Sequence, residues 1–144
     1  MQLVKALERI LADSYVLYFK TQNYHWNVEG VEFRSLHLLF EEQYKDLAES
    51  LDEIAERIRS LGTKIPVFSN LIKLASIDWT NQNETANEML KSLTKDQDII
   101  RETLYNGLKV AQAERDECTA DMIIGRIRVH EKNRWMLKSS LLII

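Results

Sequence analysis

The sequence is poor in residues that interrupt helices or crosslink chains: its 144 residues include one Pro, four Gly and one Cys. Because Gly and Pro punctuate chains at turns, their scarcity predicts a few long helices and argues against many short strands. The lone Cys118 excludes an internal disulfide and favours a reducing compartment. We expect residues 1–144 to form a single domain with a core of its own.

Long apolar runs and a strong charge of one sign are also missing. No uninterrupted stretch of about 18 apolar residues occurs, which excludes a membrane span. The segment Met1–Leu7 enters helix-like periodicity without the features of an export signal, so we expect a cytoplasmic protein. The formal net charge is −3, so the sequence lacks the broad basic field that drives nonspecific binding to nucleic acid.

The first half of the sequence has the clearest helical pattern. Apolar side chains recur at steps of three, four or seven over about residues 2–27, which predicts a helix with one buried face. A second run continues from Phe33 to Leu61, and Gly62 is a suitable terminator. Because the connection around Gly30 is short, we expect these two helices to form an antiparallel hairpin.

The middle of the chain, residues 63–82, is rich in turn-forming and polar residues and interrupts the pattern. Within it, the apolar run from Leu71 to Ile77 predicts one brief helix. Two more long helices are predicted, over about 84–111 and from about 116 onward. A connection of this length is sufficient to cross from one end of a bundle to the other. The pattern therefore predicts an all-α, ferritin-like four-helix bundle whose long crossover carries a short helix.

Two histidines are expected to lie side by side where the first hairpin closes. His25 is near the end of the first helix, and His37 lies about one turn into the second. Two neighbouring imidazoles can bind zinc, iron, copper or nickel. For a lone His, however, a packed and hydrogen-bonded core side chain is the more common role.

Two carboxylates form a second candidate pair on the same helix. Asp52 and Glu56 are four residues apart, as in a chelating pair, and lie roughly 60° and 100° around the helix from His37. That side also carries the core, where a carboxylate is costly unless it is paired or bound to metal. The alternative is a pair of surface ions with Arg57 or Arg59 as partners.

Distance separates the two pairs. From His37 to Asp52 the helix rises roughly 22 Å at about 1.5 Å per residue, whereas metal–ligand bonds are about 2 Å long. One chain therefore cannot bring both pairs to one ion. In an antiparallel two-fold dimer, the His pair of one chain would face the carboxylate pair of the other. The usual intrachain di-iron arrangement needs Glu-x-x-His motifs, and the sequence has none.

Three segments resemble the Dps family of bacterial mini-ferritins, the DNA-binding proteins from starved cells. These segments are Tyr15–Gly30, Phe33–Tyr44 and Asp52–Arg59, and the likeness extends over essentially the whole chain. The order of two His, one Asp and one Glu is the most specific part of it. The resemblance implies a hollow dodecamer that oxidises ferrous iron between two-fold-related subunits, preferably with hydrogen peroxide, and stores it as a ferric mineral.

The resemblance also implies which residues bind and oxidise iron. His25 and His37 would come from one subunit, and Asp52 and Glu56 from its neighbour. Glu41, one turn after His37, matches a position that often carries a further acidic or water-mediated ligand. Mixed imidazole and carboxylate ligands suit Fe(II), and carboxylates also suit the Fe(III) product.

Two aromatic residues flank His25 in the sequence and have both a functional and a structural interpretation. Trp26 and Tyr24 could donate an electron if only one iron is bound, or could simply pack at the helix end.

Asp116 and Asp121 resemble the acidic residues of the family's three-fold pores, where an acidic ring would draw cations inward. Acids at a helix start are also favourable without a pore, and Gly125 follows on that face instead of a further acid.

DNA binding is the point at which the sequence and the family differ. Members that bind DNA often use flexible Lys-rich tails, and neither end of this sequence carries one, so we expect weak or no binding at physiological salt. The alternative function is a nucleoid protein that shields DNA physically through a basic cluster in the last helix: Arg126, Arg128, Lys132, Arg134 and Lys138. A solvated helix face is the simpler interpretation of that cluster.

A third possible function is that of a scaffold or surface antigen whose metal site is vestigial or holds zinc.

Overall fold

The computed structural model describes residues 1–79 and 83–142, which form helices and no strand. Four long helices form the bundle: α1 (Gln2–Asn27), α2 (Phe33–Ser60), α4 (Ala86–Ala113) and α5 (Glu117–Ser139). The short helix α3 (Phe68–Leu71) continues into a 3-10 turn at Ile72–Leu74. The predicted all-α fold with a helix-bearing crossover is confirmed. The end of the predicted crossover, residues 80–82, lies outside the described residues.

The core lies between two helical hairpins. Helix α1 packs against α2 and α4, and α4 packs against α5. Apolar side chains from all four long helices are fully buried between them: Leu7, Leu17, Phe40, Leu47, Ile54, Leu93, Ile100, Ile123 and Leu137. None of the helices in the described part of the chain is both long enough and apolar enough to cross a membrane.

The ends of the helices follow signals present in the sequence. Helix α2 ends at Ser60, and Gly62 then adopts a φ of +95°, a conformation in which a residue with a side chain would be strained. Helix α4 begins with a capping box. The Thr85 hydroxyl accepts from the Glu88 N–H at 3.1 Å, and the Glu88 carboxylate accepts from the Thr85 N–H at 2.9 Å. The helix therefore starts at Ala86, slightly later than predicted.

The brief crossover helix was predicted over Leu71–Ile77, and that position is wrong: helical turns occupy residues 68–74. The reason is the buried Asp13 carboxylate on α1. One of its oxygens accepts from the N–H groups of Ser76 at 2.6 Å and Ile77 at 3.2 Å. The other accepts from the Thr103 hydroxyl at 2.7 Å. Ala75 is extended, and these bonds then hold Ser76 and Ile77 against α1. Burial outweighs the hydrogen bonds and raises the pKa of Asp13.

Candidate metal centre

His25 and His37 lie face to face where the α1–α2 hairpin closes. Their rings are stacked, with centroids 3.8 Å apart and planes inclined by 13°. Each Nδ1 lies 2.7 Å from the main-chain carbonyl oxygen of the other histidine. The folded chain thus brings together the two histidines that the hairpin predicted as neighbours.

These reciprocal hydrogen bonds fix the tautomer of both rings. A carbonyl oxygen can only accept, so each Nδ1 must donate its proton. In a neutral imidazole the lone pair then lies on Nε2, and no residue in the described ranges hydrogen-bonds to either Nε2. Metal-binding histidines commonly have this arrangement, with the second ring nitrogen held by a carbonyl or carboxylate. The pair is therefore chemically suited to a divalent metal ion.

Aromatic and apolar side chains surround the histidine pair. The Tyr44 ring meets His25 edge-on at 5.1 Å, and the Phe33 ring stacks on His37 at 5.0 Å. His25 is buried, whereas His37 is half-buried. Nearby apolar side chains are open to solvent in the protomer: Trp26 is 62% exposed and Leu38 is 45% exposed. The pair thus lies at an apolar edge of the protomer.

Asp52 and Glu56 also lie together, on the exposed face of α2. A hydrogen bond shared with Asp52, and repulsion by its negative charge, raise the pKa of Glu56. The predicted alternative partner Arg57 turns elsewhere, because its guanidinium binds Asp116 at 3.1 Å. No ion pair within the described ranges joins either carboxylate to Arg57 or Arg59. A cation between the two carboxylates would relieve their mutual repulsion.

The histidine pair and the carboxylate pair do not form one cluster in the protomer. Within residues 1–79 and 83–142, no three His, Cys, Asp or Glu side chains come close enough to hold one ion. Glu41, the fifth predicted ligand, is half-buried and forms an ion pair with Lys45 at 3.2 Å. Because Lys45 is itself largely exposed, this ion pair contributes little stability and could open to release Glu41.

The two aromatic residues flanking His25 differ in their surroundings. Tyr24 is fully buried, its hydroxyl donates to the Glu84 carboxylate at 2.7 Å, and its ring packs near Phe40. Trp26, in contrast, is mostly exposed. Tyr24 therefore holds the end of α1 against the core, whereas Trp26 belongs to the apolar edge.

Asp116 and Asp121, the predicted pore residues, have different roles in the protomer. Asp116 is the N-cap of α5, and its carboxylate accepts from the Thr119 N–H at 3.0 Å and the Thr119 hydroxyl at 2.6 Å. These bonds and the Arg57 guanidinium lower the pKa of Asp116. Asp121 is exposed in the first turns of the helix. Both line an open depression at the start of α5, and the capping interpretation applies to Asp116.

The basic cluster predicted as one solvated face of the last helix is not uniform, and for Arg126 the prediction is wrong. Arg126 is buried, and its guanidinium donates two hydrogen bonds to the Asp46 carboxylate, at 3.2 and 3.0 Å. It also donates to Nε2 of His130 at 3.0 Å. The Nδ1 of His130 donates in turn to the Gln97 side-chain oxygen at 2.7 Å. Arg126 is therefore a core connection between α2 and α5.

His130 is the residue to which the sequence patterns assigned no role. It is fully buried, and burial together with the Arg126 charge lowers its pKa well below the ordinary value, so the ring is neutral. Its position four residues after Arg126, beside the apolar Ile123 and Ile127, is the signal that could have placed it in the core.

Comparisons with known proteins agree with this architecture. The family model for the ferritin-like domain matches residues 4–142. General stress protein 20U of Bacillus subtilis is 39% identical, with 97% of both chains covered. DNA protection during starvation protein 2 of Bacillus anthracis is 37% identical, again with 97% of both chains covered.

Solved structures give the same result. Dps from Staphylococcus aureus is 32% identical and superposes with a TM-score of 0.93, covering 99% of this chain and 96% of that one. Dps from Bacillus brevis is 37% identical, with a TM-score of 0.91 and coverage of 96% and 94%. Similarity in sequence and in structure thus extends over nearly the whole chain. The chain belongs to the Dps family of ferritin-like proteins.

Proposed function

We propose that this protein is an iron-storage and detoxification protein that oxidises Fe(II), preferably with hydrogen peroxide, at sites shared between subunits. The observation that carries the proposal is the stacked His25–His37 pair, in which both Nδ1 atoms are held by carbonyl oxygens and both Nε2 atoms lack a hydrogen bond from the described residues. Membership of the Dps family supports a protective, iron-binding role for this pair.

A second subunit would complete the site. The histidine pair supplies two nitrogen ligands, too few for iron, while Asp52 and Glu56 form a carboxylate pair roughly 22 Å away along α2. In an antiparallel two-fold dimer, each histidine pair meets the carboxylates of the other chain, and Glu41 can add a further oxygen. The exposed Trp26 and Leu38 support such a contact, because a second copy would remove their apolar surface from water.

The chemistry matches the ligand types. Imidazole and carboxylate together bind Fe(II), and the carboxylates stabilise the Fe(III) product. Two ferrous ions each lose one electron, and hydrogen peroxide takes up both electrons with two protons to form two molecules of water. This two-electron route avoids the release of hydroxyl radical, which supports a role in protecting DNA and the cell from oxidative damage.

Storage would require a closed shell around the oxidised iron. We propose a hollow dodecamer built from the two-fold dimers, with the ferric mineral inside and with Asp116 and Asp121 at the entry pores. The depression that both residues line supports this role. Because Asp116 is held by Thr119 and Arg57, Asp121 is the acid more available to attract cations.

Ion pairs with acidic residues argue against the alternative function, in which the basic residues of α5 would shield DNA physically. Arg126 is buried against Asp46, and Arg134 pairs with Asp98 at 2.6 Å. Arg101 on α4 likewise pairs with Glu131. A mobility shift of plasmid DNA by the intact protein at physiological salt would contradict the expectation of weak or no binding.

The decisive experiment measures iron oxidation in mixed oligomers. A His25→Ala/His37→Ala chain and an Asp52→Ala/Glu56→Ala chain should each be inactive with Fe(II) and peroxide. A hybrid two-fold dimer keeps one intact site, so equal mixing should restore about a quarter of the wild-type sites. Inactivity of well-folded hybrids would contradict the shared site. Failure of the wild type to oxidise iron, together with tight zinc binding, would instead favour a zinc site.

A further inference from the structure

A cavity of about 490 Å³ lies in the groove between α1 and α4. Helix α1 supplies four of its lining residues, from Gln2 to Arg9, and α4 supplies four more, from Thr103 to Val110. Both sets have the spacing i, i+3, i+4 and i+7, which places each set on one face of its helix. Ser76 of the crossover completes the lining. We call this feature the α1–α4 cavity.

The buried carboxylate of Asp13 holds the walls of the α1–α4 cavity together. It accepts from the N–H of Ser76 at 2.6 Å and from the hydroxyl of Thr103 at 2.7 Å. One side chain of α1 therefore ties the crossover and α4 in place around the cavity. Gly107 lines the buried part, where a Cβ would lie only 2.8 Å from Cδ1 of Ile10, so the two helices approach closely there. The cavity is thus pre-formed, as small-molecule sites usually are.

Both charged side chains that line the α1–α4 cavity are cations. Lys5 and Arg9 are four residues apart, so they share one face of α1, and both are exposed. Neither forms an ion pair within residues 1–79 and 83–142, whereas Arg57 and Arg101 pair with acidic side chains. The buried Asp13 already accepts hydrogen bonds at both of its oxygens. The lining therefore favours an anion.

Neutral hydrogen-bond donors accompany the two cations. The side chains of Gln2, Ser76 and Asn106 line the cavity and are exposed, and no described residue hydrogen-bonds to them. An arginine guanidinium binds phosphate oxygens through two parallel N–H groups, and a lysine adds a point charge. Hydroxyl and amide groups can then donate to the remaining phosphate oxygens. Ala6 and Val110 add apolar surface beside these donors.

We propose that the α1–α4 cavity binds a phosphate group, with Lys5 and Arg9 as its cationic ligands and Ser76 and Asn106 as further donors. Its volume of about 490 Å³ falls within the range of about 300–1,000 Å³ typical of small-molecule sites, so it can hold a phosphorylated metabolite as well as free phosphate. In the part of the chain that the structure describes, no residue of α2 or α5 lines the cavity. This binding site is therefore separate from the proposed iron chemistry and does not depend on it.

Isothermal titration calorimetry on the full-length, iron-free protein tests this site with three probes: inorganic phosphate, adenosine monophosphate and adenosine. Wild type should bind the two phosphates and not adenosine, because the phosphate group carries the recognition. Tighter binding of adenosine monophosphate would identify an organic phosphate as the ligand, whereas equal affinities would identify free phosphate. Lys5→Gln/Arg9→Gln should weaken binding roughly tenfold or more, because charge-assisted hydrogen bonds are lost. Asn106→Asp should also weaken it, because a negative charge enters the cavity at nearly constant side-chain size.

The matched control is Arg128→Gln/Lys132→Gln, which removes the same two charges, at the same spacing, from exposed positions on α5. It should bind phosphate as tightly as the wild type, and circular dichroism verifies that all variants are folded. Equal weakening in the two double variants would be an effect of net charge and would overturn the proposal. So would the absence of binding by the wild type, or displacement of adenosine monophosphate by a short DNA duplex at physiological salt. Because these measurements contain no iron, each of their outcomes leaves the proposed function standing.

Discussion

The chain holds histidines in two opposite settings. At the α1–α2 turn, His25 and His37 each use Nδ1 for a main-chain carbonyl and keep Nε2 without a hydrogen bond from the described residues. In the α4–α5 half, His130 uses both nitrogens, accepting from Arg126 and donating to Gln97. The occupation of the ring nitrogens, more than burial, therefore distinguishes the two histidines proposed as metal ligands from the one that holds the fold together.

The largest expected effect is the loss of iron oxidation in the His25→Ala/His37→Ala double variant. Removing both imidazoles leaves too few ligands to hold Fe(II), so the growth of ferric absorbance after addition of peroxide should disappear. The matched control is His130→Gln, which alters the other histidine setting and should retain oxidation in the folded protein. Wild-type rates in the double variant would show that the two imidazoles are not needed for iron oxidation.

The second prediction concerns the free energy of unfolding, for which His130 should matter more than His25 or His37. His130→Ala should lower the free energy of unfolding by about 2–4 kcal/mol, because it leaves a cavity and removes the acceptor from a buried Arg126 N–H. Denaturant titration measures this change. Each single alanine variant at His25 or His37 should be less destabilising than His130→Ala. Equal losses at all three positions would mean that the two settings do not differ.

The third prediction concerns the pH dependence of the free energy of unfolding, which should depend on the buried His130. The pKa of His130 is well below its ordinary value of about 6.5 in the unfolded chain. Its contribution is therefore fully present above pH 6.5 and declines as the pH falls towards the lowered pKa, because only the unfolded chain takes up the proton. The slope is at most about 1.4 kcal/mol per pH unit.

The variant His130→Gln isolates this contribution, because glutamine can accept from Arg126 but does not titrate. Between about pH 6.5 and pH 5, the stability of the wild type should fall more steeply than that of the variant. Parallel stability curves for the two proteins over this range would show that His130 is not kept neutral by the fold.

The smallest expected effect concerns Asp116, which combines a structural and a proposed functional role. Asp116→Ala should lower stability by about 1–2 kcal/mol, because it removes the N-cap of α5 and the partner of Arg57. Asp116→Asn should lose less, because asparagine also caps helices. Thermal unfolding measures both changes. If Asp116→Asn slows iron uptake although the protein remains folded, the negative charge of Asp116 contributes to the entry pore.

Local patterns were sufficient to predict the long helices, because amphipathic periodicity and the residues at helix ends act over a few positions. The C-terminal end of α2 follows from Gly62 in this way, and the start of α5 follows from Asp116. The crossover helix was misplaced because the carboxylate of Asp13, more than 60 residues away in the sequence, accepts hydrogen bonds from the N–H groups of Ser76 and Ile77. A long-range hydrogen bond of this kind leaves no local pattern.

In the candidate site, too, some features follow from local sequence patterns and others depend on long-range contacts. The sequence predicted four side chains as iron ligands, and the rise of the helix showed that His37 and Asp52 of one chain lie too far apart to share an ion. Helical rise is a local property, so this distance could be calculated before the fold was known. Three features could be read only from the folded chain, because each depends on atoms from different helices: the ring tautomers of His25 and His37, the burial of Arg126 with His130, and the contact of Tyr44 with His25.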